Sequence, residues 1–305
     1  MKRIFAILIS ALTAFASAYA QSQSEKFEQR YDLLVRQLGP DGVGVENVLN
    51  NWEAADPSNP KMLMGKFTYY FNKARQEKVV TRPEKKYLGM DPLLALKDST
   101  GADVYYYQVP FFDDELYGKA LQAADDAIAK WPDRLDFRFL KANACMAYEQ
   151  ESPDMTLAYL LDLVKTDQVR DKAWEYDGKV QDEDFFSEAM QEYCYSFYAL
   201  GSSSAMEAFL TLSETMAACH PDKLDYLNNI GSYHLLAAND YKTAIKFYNK
   251  VLKKDASNYT AIKNAALAAR KMGNVKLEKK YLQMLMMHGP EEEKMQVQAR
   301  LNVLK

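Results

Sequence analysis

The stretch Asn229–Asn258, with the sequence NIGSYHLLAANDYKTAIKFYNKVLKKDASN, decides the fold class of this chain. In its second half, apolar residues recur three and four positions apart, which predicts an amphipathic helix. These residues are Ala244, Ile245, Tyr248, Val251 and Leu252. Turn-forming residues precede this helix at Asn239-Asp240 and follow it at Asp255–Asn258. The stretch therefore predicts a helical hairpin with one apolar face.

Five segments with similar turn signals divide the chain. With Pro57, Pro132, Pro221, Ala256 and Pro290 as markers, the successive gaps are 75, 89, 35 and 34 residues. The last two gaps match the 34-residue period of stacked helical hairpins. We interpret the first gap as one repeat with an insert of 41 residues, and the second as two repeats with an insert of 21. Because a lone hairpin cannot bury its apolar face, the hairpins are expected to stack around one continuous core.

The most regular hairpin combines a large residue and a glycine at Ile230-Gly231, a turn at Asn239–Tyr241 and a small residue at Ala244. The same features recur 34 residues later, although Glu278 stands where alanine is expected. In these residues the chain resembles the tetratricopeptide repeat family, most strongly from about residue 205 onward. The resemblance implies an all-α fold over residues 21–305, an α-solenoid of antiparallel helix pairs in a right-handed superhelix.

The two helices of one repeat approach closely where a small residue faces a bulky one. We expect such packing positions in most repeats, with Tyr248 as a bulky member. The small residues at these positions are Ala120, Ala142, Ala208, Ala244 and Ala266. A charged residue at any of them is therefore expected to destabilise the fold.

Residues 76–113 interrupt one repeat between its two helices and differ from the rest in composition. Leu93–Lys97 and Ala102–Tyr107 flank a turn signal at Asp98–Gly101, which predicts a small β-hairpin. We expect the aromatic residues of this insert, Tyr105–Tyr107 among them, to pack on the scaffold. The alternative is that they form a functional surface.

Two further segments lie outside the regular repeats. A second insert, Asp167–Asp184, is predicted to be an exposed loop, although it contains Trp174. At the end of the chain, Pro290 and Glu291–Glu293 predict the start of a helix, since proline and acidic residues suit the first turn. Its apolar stripe is Val297, Leu301 and Leu304. This segment is predicted to be a C-terminal capping helix, apolar towards the last repeat and charged towards water.

Residues 1–20 have the organisation of a secretory signal peptide. Lys2 and Arg3 precede an apolar run, Ile4–Phe15, and a small-residue cleavage signal at Ala18–Ala20. The apolar run is shorter than the roughly 20 residues that cross a bilayer. We therefore expect cleavage after residue 20 and a soluble exported protein, periplasmic or extracellular, with no transmembrane segment in the mature chain.

The charge of the mature chain limits its partners. Without Lys2 and Arg3, 36 basic residues face 42 acidic ones, a net charge of −6. This balance argues against nucleic acid, since a protein that binds its backbone needs a basic footprint. Cys145, Cys194 and Cys219 are odd in number and far apart, so we predict buried thiols, with one disulfide possible but not required.

The sequence contains no recognisable catalytic or metal-binding motif. His220, His234 and His288 are isolated from one another and from the cysteines at the spacing of metal ligands. The sequence lacks a glycine-rich phosphate loop, a Gly-x-Ser-x-Gly elbow and a His-Glu-x-x-His helix. We therefore predict no metal site, no cofactor and no enzymatic activity, although glycosidase carboxylates carry no local signature.

The expected function is binding. The resemblance implies a groove along the inner faces of the first helices of the repeats, which takes a peptide or a partner's helix. In this register, Asn229 and Tyr233 from one first helix and Lys263 and Arg270 from the next line the groove. Two cations beside an amide and a phenol could hold a carboxylate or an acidic segment. The alternative is that these are ordinary surface residues of amphipathic helices.

Two functional hypotheses follow from this reasoning. The first is a non-enzymatic scaffold or adaptor of the cell envelope that binds a protein or peptide partner in the groove. The second is an exported protein that binds a glycan or small ligand through the aromatic insert, with Tyr105 and Tyr106 as the platform. Binding lost on substitution of these two tyrosines would favour the second hypothesis.

Overall fold

The structure, a computed structural model, describes residues 23–304, so the predicted signal peptide at residues 1–20 lies outside the described residues. The chain is mostly helical, with a few short strands. The helices are α1 (23–38), α2 (Val45–Ala55), α3 (Pro60–Ala74), α4 (Asp114–Lys130), α5 (Leu135–Glu149), α6 (Asp154–Val169), α7 (Phe185–Leu200), α8 (Ser203–Cys219), α9 (Leu224–Leu236), α10 (Tyr241–Lys254), α11 (Tyr259–Lys271), α12 (Val275–His288) and α13 (Glu291–Val303). The strands are β1 (Arg75–Arg82), β2 (Leu94–Lys97), β3 (Asp103–Phe112), β4 (Glu175–Tyr176) and β5 (Lys179–Val180).

The chain divides into two compact units, which are interleaved along the sequence. The first unit contains residues 23–85, 91–148 and 172–182. The second contains residues 86–90, 149–171 and 183–304. The regular C-terminal repeats therefore belong to the second unit, and the long insert belongs mainly to the first.

Polar residues of the turn signals begin several of the helices. The Asn59 side chain accepts hydrogen bonds from the backbone N–H groups of Lys61 and Met62, at 3.0 and 3.1 Å. Further caps of this kind are Asp240, Asn258 and Asn274. A side-chain cap stabilises the first turn because its N–H groups have no partner within the helix. These residues thus fix where the helices begin.

In the first unit, α3 and α4 pack against each other although the whole sheet-forming insert lies between them. This is possible because β1 and β3 are antiparallel and pair Arg75 with Phe112, so the insert begins and ends at the same place. The Asp113 N–H donates to the Ala74 carbonyl at 2.9 Å, and the Asp113 side chain caps α4. The rings clustered at this junction are Phe67, Phe71, Phe112, Tyr117 and Tyr148.

The insert forms a three-stranded antiparallel sheet with the strand order β1-β3-β2. The pairing of β2 with β3 around the turn at Asp98–Gly101 places strands where the sequence predicts a hairpin. The sequence does not predict β1, which shows no apolar alternation and forms by pairing with β3 along its whole length. Tyr107 is buried, whereas Tyr105 and Tyr106 are half-buried.

The prediction of an exposed loop for Asp167–Asp184 is wrong in part. Helix α6 continues to Val169, and β4 and β5 form a two-stranded sheet within this segment. Trp174 is buried, with 6% of its surface exposed, and the Arg138 guanidinium lies 5.5 Å from its ring centroid. A ring of this size gains much from burial, so the surrounding chain is ordered around it.

In the second unit, each helix from α7 to α12 packs against the next, and α13 packs on α12. The buried Tyr248 ring of α10 lies against Gly231 of α9, where a Cβ atom would be 2.6 Å from Tyr248 Cε1. Glycine therefore permits the close approach of these two helices. Across both units, the alanines expected at packing positions are buried, namely Ala120, Ala142, Ala208, Ala244 and Ala266.

Helix α13 explains the glutamate that interrupts the repeat pattern. Glu278 of α12 is buried, and its two carboxylate oxygens accept hydrogen bonds from Arg300 of α13, at 2.7 and 3.1 Å. A bidentate arginine compensates much of the cost of removing a carboxylate from water. The stripe of α13 is buried at Val297 and partly buried at Leu301. The final helix thus supplies both apolar cover and the counterion for Glu278.

Candidate ligand-binding groove

The first helices of three consecutive hairpins in the second unit, α7, α9 and α11, line an open cleft of about 240 Å³. One further side chain comes from α8. The lining residues are Gln191, Tyr195, Tyr198, Phe209, Asn229, Ser232, Leu236 and Asn264, and we call this cleft the tyrosine–amide groove. Its polar groups are amides and hydroxyls, and no charged side chain lines it.

The floor of the tyrosine–amide groove depends on the packing of α9 against α10. Because Gly231 leaves room for its ring, Tyr248 reaches between the first helices. Its hydroxyl lies 3.3 Å from Ser232 Oγ and close to the Asn264 side chain. Burial raises the pKa of Tyr248 to about 12, so this hydroxyl is protonated at neutral pH and can donate. A core residue of the second helix thus reaches two residues of the groove.

A pair of side-chain amides connects α7 to α9 on one side of the groove. The Asn229 amide donates to Gln191 Oε1 at 2.8 Å, and the Gln191 amide lies 3.3 Å from Asn229 Oδ1. Asn229 also lies beside the buried Cys194 thiol, whose pKa burial raises to about 12. Each primary amide has more donors and acceptors than this pair uses, so both can also bond a peptide backbone.

An adjoining cleft of about 440 Å³ shares Tyr198 and Leu236 with the tyrosine–amide groove. It is lined by residues of α7, α8 and α9, including Tyr233 and Glu207. The Tyr233 hydroxyl donates a hydrogen bond to Glu207 Oε1. This bond, together with burial, raises the pKa of Tyr233. Glu207 is the one charged side chain of this cleft.

The ridge between the two clefts exposes much apolar surface. Tyr195, Tyr198 and Leu236 have exposed fractions of 65%, 40% and 48%. Tyrosine offers a large apolar face at little entropic cost and keeps a hydroxyl for hydrogen bonding, which is why it is enriched in binding sites. Large apolar side chains gathered at polar clefts, as here, are typical of a binding surface.

The structure places the four residues predicted for the groove in different surroundings. Asn229 lines the tyrosine–amide groove, and Tyr233 lines the adjoining cleft. The Lys263 ammonium donates to Glu293 of α13 at 2.7 Å and to the Tyr259 hydroxyl at 2.8 Å. Arg270 lies exposed in the last turn of α11. Lys263 and Arg270 line neither of the two clefts.

Sequence reasoning misses Tyr195 and Tyr198, the most exposed aromatic residues of the groove. The helix that carries them, α7, has no marked turn signal before it, and it lies outside the 34-residue period. The apolar periodicity of α7 could have identified them, because the buried residues of this helix lie on one face and leave both tyrosines off that face.

The possible metal ligands and the cysteines of the described residues are dispersed. Within residues 23–304, no three His, Cys, Asp or Glu side chains are grouped to hold a metal ion. None of Cys145, Cys194 and Cys219 forms a disulfide within this range, and the first two are buried. In the same range, no helix combines the length and apolar character required to cross a bilayer.

No family model and no curated protein matches this chain. Among solved structures, the crystal structure of MamA protein is similar over 59% of this chain and 85% of that chain. The sequence identity is 16% and the TM-score is 0.35. A likeness this weak carries no information about function.

Proposed function

We propose that this protein is a non-enzymatic scaffold that binds an extended segment of a partner protein in the tyrosine–amide groove. The observation that carries the proposal is the exposure of Tyr195 and Tyr198 beside amide side chains on successive first helices. An extended peptide presents backbone donors and acceptors along its length, which Gln191 and Asn229 can satisfy. The tyrosine rings and Leu236 then supply apolar contact for its side chains.

The proposal includes the cationic residues expected from the repeat register. Arg270 lines neither cleft, but it is exposed and forms no ion pair within residues 23–304, so it is available to a carboxylate of a partner segment that extends beyond the groove. Lys263 is already paired with Glu293, and a ligand would have to compete with that carboxylate. We therefore expect Arg270 to contribute more to binding than Lys263.

The cell envelope is the proposed place of action, on the basis of the signal peptide expected at residues 1–20. Binding of a glycan or small ligand through the insert is the alternative proposal. The burial of Tyr107 and partial burial of Tyr105 and Tyr106 leave less aromatic surface there than in the tyrosine–amide groove.

The proposal can be tested with residues 21–305 and a displayed library of random peptides. Peptides selected on the parent protein are then measured against Tyr195→Ala and Tyr198→Ala. Loss of a central tyrosine anchor typically weakens binding about tenfold or more, so each variant should show at least this loss.

The matched control is Tyr176→Ala, which removes a tyrosine of similar exposure, 42%, from the first unit. It should leave the affinity unchanged, and all three variants should keep the helical content of the parent. Selected peptides that bind both groove variants as tightly as the parent would contradict the proposal.

A further inference from the structure

Charge is strongly segregated along the second half of the chain. Residues 149–240 contain 18 acidic and five basic residues, whereas residues 241–288 contain two acidic and 11 basic residues. The basic segment contains α10, α11 and α12. A chain with a net charge of −4 thus carries a strongly positive region in its second half.

Seven lysines of this region lie on the second helices of the last two hairpins. On α10 they line a shallow cleft together with Ile245 and Asn249, and they are Lys242, Lys246, Lys250 and Lys253. On α12 a similar cleft contains Leu277 and Gln283, and its lysines are Lys276, Lys279 and Lys280. We call these seven side chains the lysine face.

The two rows of lysines lie on neighbouring helices in equivalent positions. Lys276 follows Lys242 by 34 residues, and Lys280 follows Lys246 by the same interval, which is the repeat period. The Tyr281 hydroxyl of α12 donates to Asn249 Oδ1 of α10 at 2.9 Å. Since Asn249 lines the α10 cleft, this bond joins α12 to the edge of the first row. The two rows of lysines therefore lie on helices that contact each other through this bond.

The lysine face lacks counterions among the residues that the structure describes. Among residues 23–304, none of its seven ammonium groups forms an ion pair, whereas Lys61, Lys66 and Lys141 are each paired with carboxylates. Two of the seven lie over aromatic rings of their own helices, Lys250 over Phe247 and Lys280 over Tyr281. Like charges one helical turn apart repel each other, so the face favours an external anion.

We propose that the lysine face binds the surface of a bilayer that contains anionic lipids. Two adjacent helices present a broad basic surface, which suits a dense array of headgroup charges. All seven cations are lysines, and lysine acts as a compact point charge that needs no fixed geometry. A defined carboxylate or phosphate partner would favour the bidentate fork of arginine. Leu277, which is only partly buried, lies among the lysines of α12 and can contact the interface.

The lysine face is independent of the tyrosine–amide groove. It lies on the second helices α10 and α12, whereas the groove is lined by the first helices α7, α9 and α11. A protein held on a membrane through the lysine face would therefore keep its groove open for a partner. The inference does not depend on the proposed function, because vesicle binding is measured without any peptide.

The test is sedimentation of residues 21–305 with vesicles of phosphatidylcholine that contain about 30% phosphatidylglycerol, at about 0.05 M salt. The test variant changes the two equivalent pairs, Lys242, Lys246, Lys276 and Lys280, to Gln. A matched control changes four exposed lysines elsewhere to Gln, namely Lys26, Lys73, Lys85 and Lys179.

We expect the test variant to bind the anionic vesicles at least about a hundredfold more weakly than the parent. The reason is that each lysine near an anionic surface raises the affinity roughly fivefold. The control should stay within about twofold, and about 0.5 M salt should abolish binding by the parent.

Several outcomes would overturn the proposal. One is equal binding to vesicles of phosphatidylcholine alone, and another is equal loss of affinity in the test and control variants. Retention on immobilised polyglutamate or duplex DNA, without binding to the anionic vesicles, would assign the face to a different polyanion. Circular dichroism of the variants separates these results from a failure to fold, since exposed Lys→Gln changes should leave the helical content intact.

Discussion

The helices of the pairs α3–α4 and α9–α10 pack against each other, but very different connections join them. Four residues connect α9 to α10, whereas the whole three-stranded sheet connects α3 to α4. In both cases a capping aspartate begins the second helix, Asp240 in the short connection and Asp113 in the long one. The long connection works because β1 and β3 return the chain to its starting point. A helix pair therefore requires a connection whose two ends are adjacent, whatever the length of that connection.

The substitutions with the largest expected effect test whether the pairs α3–α4 and α9–α10 both depend on close packing at a buried alanine. Ala244 of α10 and Ala120 of α4 are fully buried. Ala244→Asp and Ala120→Asp each place an unpaired charge between helices, so each should destabilise its own unit by about 3 kcal/mol or more. Hydrogen exchange would show loss of protection in the second unit for Ala244→Asp and in the first unit for Ala120→Asp. A parent-like melting curve for either variant would show that the two pairs are not packed alike.

A second test concerns the irregular end of the regular repeats, where Glu278 replaces alanine. Arg300→Ala leaves the buried Glu278 carboxylate without its partner and should destabilise the second unit by about 3 kcal/mol. Glu278→Ala should cost much less, because Arg300 is partly exposed and can be solvated. Urea unfolding of the two variants measures the difference. Equal losses would mean that Arg300 acts through packing rather than through the ion pair.

The smallest expected effects concern the two capping aspartates. Asp113→Ala should lower the free energy of unfolding by about 1 kcal/mol, because the Leu116 N–H loses its bond to the Asp113 side chain.

In Asp240, hydrogen bonds from Thr243 lower the pKa of the carboxyl below its ordinary value of 3.8. Asp240 therefore stabilises the fold above that value, and its contribution is lost as the pH falls through the lowered pKa. The difference in melting temperature between the parent and Asp240→Ala should be present at neutral pH and shrink below about pH 4. A difference that is the same at both pH values would show that the charged carboxylate is not needed for the cap.

The helices of the second unit are largely predictable because local signals and packing agree there. The stripe around Ala244 and Tyr248 marks a helix, and Asp240 and Asn258 mark where helices begin. The strand β1 is not predictable from local pattern, because pairing with β3 is what makes those residues extended. Trp174 likewise lies beside Arg138, a contact between residues far apart in the sequence.

The groove is predictable only where the period is regular. Counting along the repeat identifies Asn229, which lines the groove, but not Tyr195 and Tyr198, whose helix lies outside that period. The ion pair between Lys263 and Glu293 could not be foreseen, since it depends on where α13 packs after the last repeat. Side chains that meet through tertiary packing leave no fixed spacing in the sequence.

The closed geometry of the long insert gives the molecule a natural attachment point. Its distal turn at Asp98–Gly101 is exposed, and the strands below it continue into α3 and α4 at the paired residues Arg75 and Phe112. A fluorophore, an epitope or even a small folded domain added at this turn would extend the ribbon outward and leave the helical junction intact. Reporters for vesicle and peptide experiments can therefore be placed there without altering the surfaces they monitor.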